Sequence, residues 1–106
     1  MPKYLWQVTY TAEGASGLLA EGGSARRDAL TAMVESVGGT VESCHYGFGG
    51  HDLYVIGSAP DDVAAASLSI RTAASGAART HTVSLLTPEQ VDDAAQRTAD
   101  YRPPGR

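Results

Sequence analysis

The spacing of apolar residues changes period several times along the chain, and each change marks an element. Lys3 to Tyr10 (KYLWQVTY) is rich in aromatic and branched residues and predicts a strand. Tyr4, Trp6, Val8 and Tyr10 fall on one of its faces, and Leu5, Gln7 and Thr9 on the other. Thr11 to Gly23 reads as a glycine-studded connection with one short helix around residues 16–21. From Ser24 the period becomes helical. Arg26, Leu30, Met33 and Val37 form a stripe, Ala29 and Val34 widen it, and Gly38-Gly39 ends it. Thr40 to Tyr46 and Asp52 to Gly57 predict two strands; the short link Gly47-Phe48-Gly49-Gly50-His51 joins them as an antiparallel hairpin. Pro60 at a first helical position, with Asp61 and Asp62, opens a second helix with an inward stripe of Val63, Ala66, Ser67, Ile70 and Ala74. Gly76 closes it. Arg79 to Leu86 predicts the last strand. Thr87-Pro88-Glu89-Gln90 is a capping box for a short, weakly apolar helix through Val91, Ala94 and Ala95, and the chain beyond Tyr101 is expected to be extended.

The order β-α-β-β-α-β plus a C-terminal helix is that of the ferredoxin-like α+β fold, a four-stranded antiparallel sheet with both main helices on one face. Residues 1–98 are expected as the domain and 99–106 as an extended tail. The other sheet face lacks the charge of a solvated surface, which predicts a homodimer with the sheets face to face. Polar Gln, Thr and Ser groups would partly line the space between. Leu68 and the Pro103-Pro104 arm offer apolar surface for larger assemblies.

At 106 residues the chain has room for one domain, and eight basic against twelve acidic residues give a net charge of −4. That balance argues against nucleic acid or an anionic membrane as partner. No apolar run approaches a membrane span, and the first residues lack a secretory signal pattern, so a cytoplasmic location is expected. One cysteine, Cys44, excludes an intrachain disulfide and any Cys-rich zinc site.

The chain resembles the GYD domain proteins, which belong with the dimeric α/β barrels. The resemblance rests on Pro2-Lys3-Tyr4-Leu5 with Tyr10, Glu21-Gly22-Gly23-Ser24-Ala25-Arg26, Ser36-Val37-Gly38-Gly39 and Phe48-Gly49-Gly50-His51-Asp52. It continues through Pro60-Asp61-Asp62, Leu85-Leu86-Thr87-Pro88-Glu89 and Asp100-Tyr101-Arg102-Pro103-Pro104-Gly105. The family's Gly-Tyr-Asp signature stands here as Gly50-His51-Asp52. The resemblance implies a fold and a dimeric assembly and no settled activity.

Three groups of residues carry candidate chemistry. Arg26 lies on the inward stripe of its helix, beside Gly22-Gly23-Ser24; with Tyr10 at the same end of the sheet, these could bind an anion. The competing reading is that Ser24 caps the helix and Arg26 pairs with a carboxylate such as Asp100. Gly49, Gly50 and Asp52 read as a structural turn, with positive φ at the glycines and Asp52 accepting backbone N–H groups; the alternative makes His51 a general acid/base oriented by Asp52. His45 is the other candidate proton carrier. Cys44 and His45 face opposite ways, and His45 and His81 are expected at opposite edges and opposite ends of the sheet, so no intrachain metal site is expected. A site between subunits stays open. No cofactor is expected.

The functional expectation is a small-molecule-binding homodimer acting on a small anionic compound; its resemblance to the dimeric α/β barrels implies the class of cofactor-free isomerases, lyases or monooxygenases. The alternatives are a ligand-sensing module and a structural assembly protein without catalysis.

Overall fold

The computed structural model describes residues 1–47 and 49–106; Phe48, placed in the hairpin turn by its sequence, lies outside the described residues. The elements are β1 (Lys3–Tyr10), α1 (Ala12–Glu21), α2 (Gly23–Ser36), β2 (Thr40–Tyr46), β3 (Leu53–Ser58), α3 (Asp62–Ala74), β4 (Ala78–Leu85) and α4 (Pro88–Gln96). The four strands form one antiparallel sheet in the order β2-β3-β1-β4, the ferredoxin-like arrangement. The core lies on the helix-covered face, where Tyr4, Trp6 and Val8 of β1 meet Leu53 and Val55 of β3, Val34 of α2, and Ala65 and Leu68 of α3.

Three helices depart from the sequence pattern. The Thr11 hydroxyl accepts from the Gly14 N–H, so α1 starts at Ala12 and runs ten residues, longer than the short helix expected. Gly14 faces the turn before β4 so closely that a Cβ there would lie 1.9 Å from the Ala77 carbonyl oxygen. Thr11 ties down the same turn, its N–H donating to the Ala77 carbonyl at 3.0 Å and its hydroxyl to the Gly76 carbonyl at 2.7 Å. Between α1 and α2 the chain turns at Gly22, whose φ of 86° favours glycine. Gly22 also caps α2; Ser24 therefore sits inside the helix rather than at its cap.

In α3 the cap is Asp61, whose side chain accepts from the Ala64 N–H at 2.9 Å, and Pro60 precedes the helix. The buried residues are Ala65 and Leu68; Val63 and Ile70 are 78% and 68% exposed. The expected stripe of Val63, Ala66, Ser67, Ile70 and Ala74 is thus turned away from the sheet, and Leu68 belongs to the core, not to an outer surface. The capping box of α4 is present as expected, with Thr87 and Gln90 bonded reciprocally at 3.1 and 2.8 Å. None of the residues of α4 is buried. No helix among the described residues is long and apolar enough to cross a membrane.

Among the described residues, no helix packs over the sheet's second face. Directly paired residues share a face, so the register sets out its rows: Thr40, Ser58, Lys3 and Leu85; then Ser43, Ile56, Leu5 and Val83; then His45, Tyr54, Gln7 and His81. The last row corrects one expectation. β4 runs antiparallel to β2, so a residue late in β2 and one midway along β4 lie at the same height. His45 and His81 are at opposite edges but not at opposite ends.

Candidate functional site

A cleft of about 240 Å³ opens between α2 and α3 over the sheet. Its walls are mainly apolar: Val8 of β1, Leu53 of β3, Ala29, Leu30 and Met33 of α2, and Ala77 and Ala78 at the start of β4. Three large polar side chains join them, namely Tyr10, Arg26 and Arg71. Arg26 reaches the cleft from the first turns of α2, and Arg71 from the last turn of α3. Two arginines on a largely apolar cleft supply guanidinium donors suited to a carboxylate or phosphate.

Arg26 already has a protein partner. Its Nη1 lies 3.2 Å from Oε1 of Glu21, the last residue of α1. The side chains of this pair are 42% and 45% exposed, so the guanidinium is not a desolvated charge, contrary to its place on the inward stripe. A half-exposed pair contributes at most about 1 kcal/mol and can exchange partners at little cost. Asp100, suggested as a partner, is exposed on the far side of α4 in sequence and makes no ion pair among the described residues.

Tyr10 lies between this cleft and a second hollow of about 410 Å³ under α1, which Leu18, Gly23, Tyr46, Gly47 and Asp52 also line. Burial raises the Tyr10 pKa, an effect opposed by the neighbouring Tyr46 hydroxyl and the Arg26 guanidinium. The Tyr46 phenol donates to the Gly23 carbonyl at 3.1 Å; burial, then the Tyr10 and Cys44 groups nearby, push its pKa up to about 12. Both phenols stay protonated at neutral pH and act there as hydrogen-bonding groups. Ser24 is exposed and lines neither space; Gly23 is the residue that α2 contributes at this end.

The hairpin turn serves the sheet more than it serves the cleft. Oδ2 of Asp52 accepts from the Tyr10 N–H at 2.9 Å, and its backbone carbonyl accepts from the Gly47 N–H at 3.0 Å. Asp52 thereby ties the turn to the end of β1 beside Tyr10. Gly50 is exposed and is not among the glycines with positive φ, so the left-handed geometry expected there does not occur. Nor does Asp52 orient His51. The His51 Nδ1 instead lies 3.1 Å from the Thr9 hydroxyl, on the open face.

There His51 meets other rings. Its centroid lies 6.3 Å from that of His81 and 6.0 Å from that of Tyr54, in an edge-on arrangement with the tyrosine. His45 stands on the same face at the β2 edge, three strand spacings, or roughly 14 Å, from the β4 edge. No cluster of three or more His, Cys, Asp or Glu side chains suited to a metal occurs among the described residues. The two histidines named as proton carriers therefore lie across the sheet from Tyr10 and Arg26, and within one protomer they do not serve the same site. Cys44 points to the helix side, where burial raises its thiol pKa against the opposing pull of Arg27, the reverse of an activated nucleophile.

Sequence reasoning missed Arg71 and the unpartnered indole of Trp6. Arg71 is three residues after Leu68, so a stripe anchored on the only leucine of α3 would have found it. Trp6 is 3% exposed, and its Nε1 is the one buried side-chain nitrogen or oxygen without a hydrogen-bond partner among the described residues. Leaving such a donor unpaired costs about 1–3 kcal/mol.

The sheet order and the cleft beneath its helices define a ferredoxin-like α+β protein. The GYD domain family model matches residues 4–95, and the chain belongs to that family. No curated protein and no solved structure matches it.

Proposed function

We propose that this protein binds a small organic anion with an apolar body in the cleft between α2 and α3. The observation that carries this reading is the presence of both Arg26 and Arg71 on walls that are otherwise largely aliphatic. A carboxylate would displace or share the exposed Glu21 contact, while the carbon skeleton would lie over Val8, Leu53 and Ala78. The titratable groups of this cleft are two arginines and a tyrosine of raised pKa. No histidine, cysteine or carboxylate among the described residues lines the cleft, so binding fits the site better than isomerase, lyase or monooxygenase chemistry.

The binding unit in this reading is a homodimer in the cytoplasm, assembled through the open sheet face. Leu5, Ile56, Val83 and Leu85 supply its apolar centre, and Lys3 at its margin is neutralised by Glu42 at 3.1 Å. Four strands of up to eight residues present roughly 500 Å² per subunit, enough for an interface near the lower limit of stable dimers.

Calorimetric titration with octanoate and with octanamide tests the anion site. Octanoate should bind at least about tenfold more tightly than the uncharged amide, a difference of ~1.4 kcal/mol. Arg26→Met combined with Arg71→Met should abolish that preference while the protein stays folded. Equal binding of the two compounds by wild type would refute the reading.

A further inference from the structure

The cleft does not end at its apolar floor. A small chamber of about 30 Å³, bounded by Trp6, Val34, Leu68 and Thr80, shares Val8, Leu30, Met33 and Thr72 with the cleft and so adjoins it. Trp6, whose indole N–H has no partner, is one of its lining residues. An indole nitrogen only donates, and buried donors in folded proteins are almost always paired. The Thr72 hydroxyl donates to the Leu68 carbonyl at 2.8 Å, and neither it nor the Thr80 hydroxyl accepts from the indole. The chamber has about the volume of one water molecule or one carbonyl group.

We propose that the Trp6 Nε1–H binds a hydrogen-bond acceptor carried by the ligand, so that the ligand class is a carboxylate bearing a carbonyl or hydroxyl oxygen toward its far end. This rests on the anion-binding reading of the cleft. The dimensions agree with it. Tyr10, Val8 and Trp6 follow one another on the same face of β1, and four residues of strand cover ~13 Å. An extended chain of about eight carbons, with C–C bonds of ~1.5 Å, spans most of that length. The carboxylate would then rest at Arg26 and Arg71, and the oxygen would arrive at Trp6.

Trp6 is the only tryptophan of the chain, so its indole gives a single resonance to follow. Octanoate and 7-oxooctanoate are titrated separately into ¹⁵N-labelled protein, with affinities measured by calorimetry. The oxo acid should bind about tenfold more tightly, move the indole N–H downfield, and slow its exchange with solvent; octanoate should do neither to the indole. Trp6→Phe should lower the affinity for 7-oxooctanoate to that of octanoate and leave octanoate binding unchanged. Equal affinities with an unmoved indole resonance would overturn the proposal while leaving the anion site intact, and would assign the chamber to water. Failure of both carboxylates to bind would remove the anion site itself, and this proposal with it. Should Trp6→Phe not fold, the wild-type indole resonance decides alone.

Discussion

Tyr4 and Arg26 are both large polar side chains on stripes that face the core, and they are satisfied in different ways. The Tyr4 ring is buried, and its hydroxyl emerges to donate to Oδ1 of Asp62 at 2.6 Å, tying β1 to the first turn of α3. That bond, with burial and the neighbouring acids, pushes its pKa up to about 12. Because the folded pKa lies above the unfolded value of 10.0, the contribution is complete below pH 10 and is lost as pH climbs toward 12. Thermal melts from pH 8 to 11.5 should therefore show stability falling above pH 10. Tyr4→Phe should lower stability by about 1 kcal/mol at pH 8 and flatten the alkaline decline; an unchanged slope would mean that Tyr4 does not carry it. Arg26 was legible as an anomaly, a charge in an apolar period. Its partner was not, because Glu21 is brought beside it by the turn at Gly22, which no periodicity encodes.

Among the elements, α1 and α3 were the hardest to read, for separate reasons. Gly14 and Gly17 dilute the helical signal of α1, and only the Thr11 cap reveals its true start. The two glycines nonetheless have opposite roles: a Cβ on Gly14 would collide with the Ala77 carbonyl, whereas one on Gly17 would meet nothing within 4 Å. Gly17→Ala should stabilise the protein by up to about 1 kcal/mol through helix propensity. Gly14→Ala gains the same propensity but forces α1 off the turn before β4, and should destabilise by about 1–3 kcal/mol. Urea unfolding of both variants checks the pair. In α3, Val63 and Ile70 imitate a core stripe because they are branched and seven residues apart, while the true inward residues, Ala65, Leu68 and Thr72, include only one large apolar side chain. The strands gave no such trouble, since alternation in β1 and β3 leaves one consistent face.

For the whole molecule, the strand order followed from the sequence of elements, but the composition of the open face did not. Its third row emerges only when strand directions are traced, and then His45, Tyr54, Gln7 and His81 appear side by side. Sedimentation equilibrium should give twice the 11.0 kDa chain mass at micromolar concentration. Replacing both Leu5 and Val83 by Lys, at the centre of the face, should yield monomers that retain the helix-side core. A wild type that stays monomeric would leave the open face as a solvated surface.

The helix α4 and the residues after it project from this body without burying a side chain of the helix, and they draw the molecule out to 56 × 33 × 23 Å. The radius of gyration is 16.7 Å, against ~13 Å for a compact chain of this length. Such a projection raises the friction on a tumbling particle far more than it raises its weight. A gel-filtration column sorts by friction, so one subunit with its arm outstretched would elute ahead of spherical standards of equal mass and could pass for a pair.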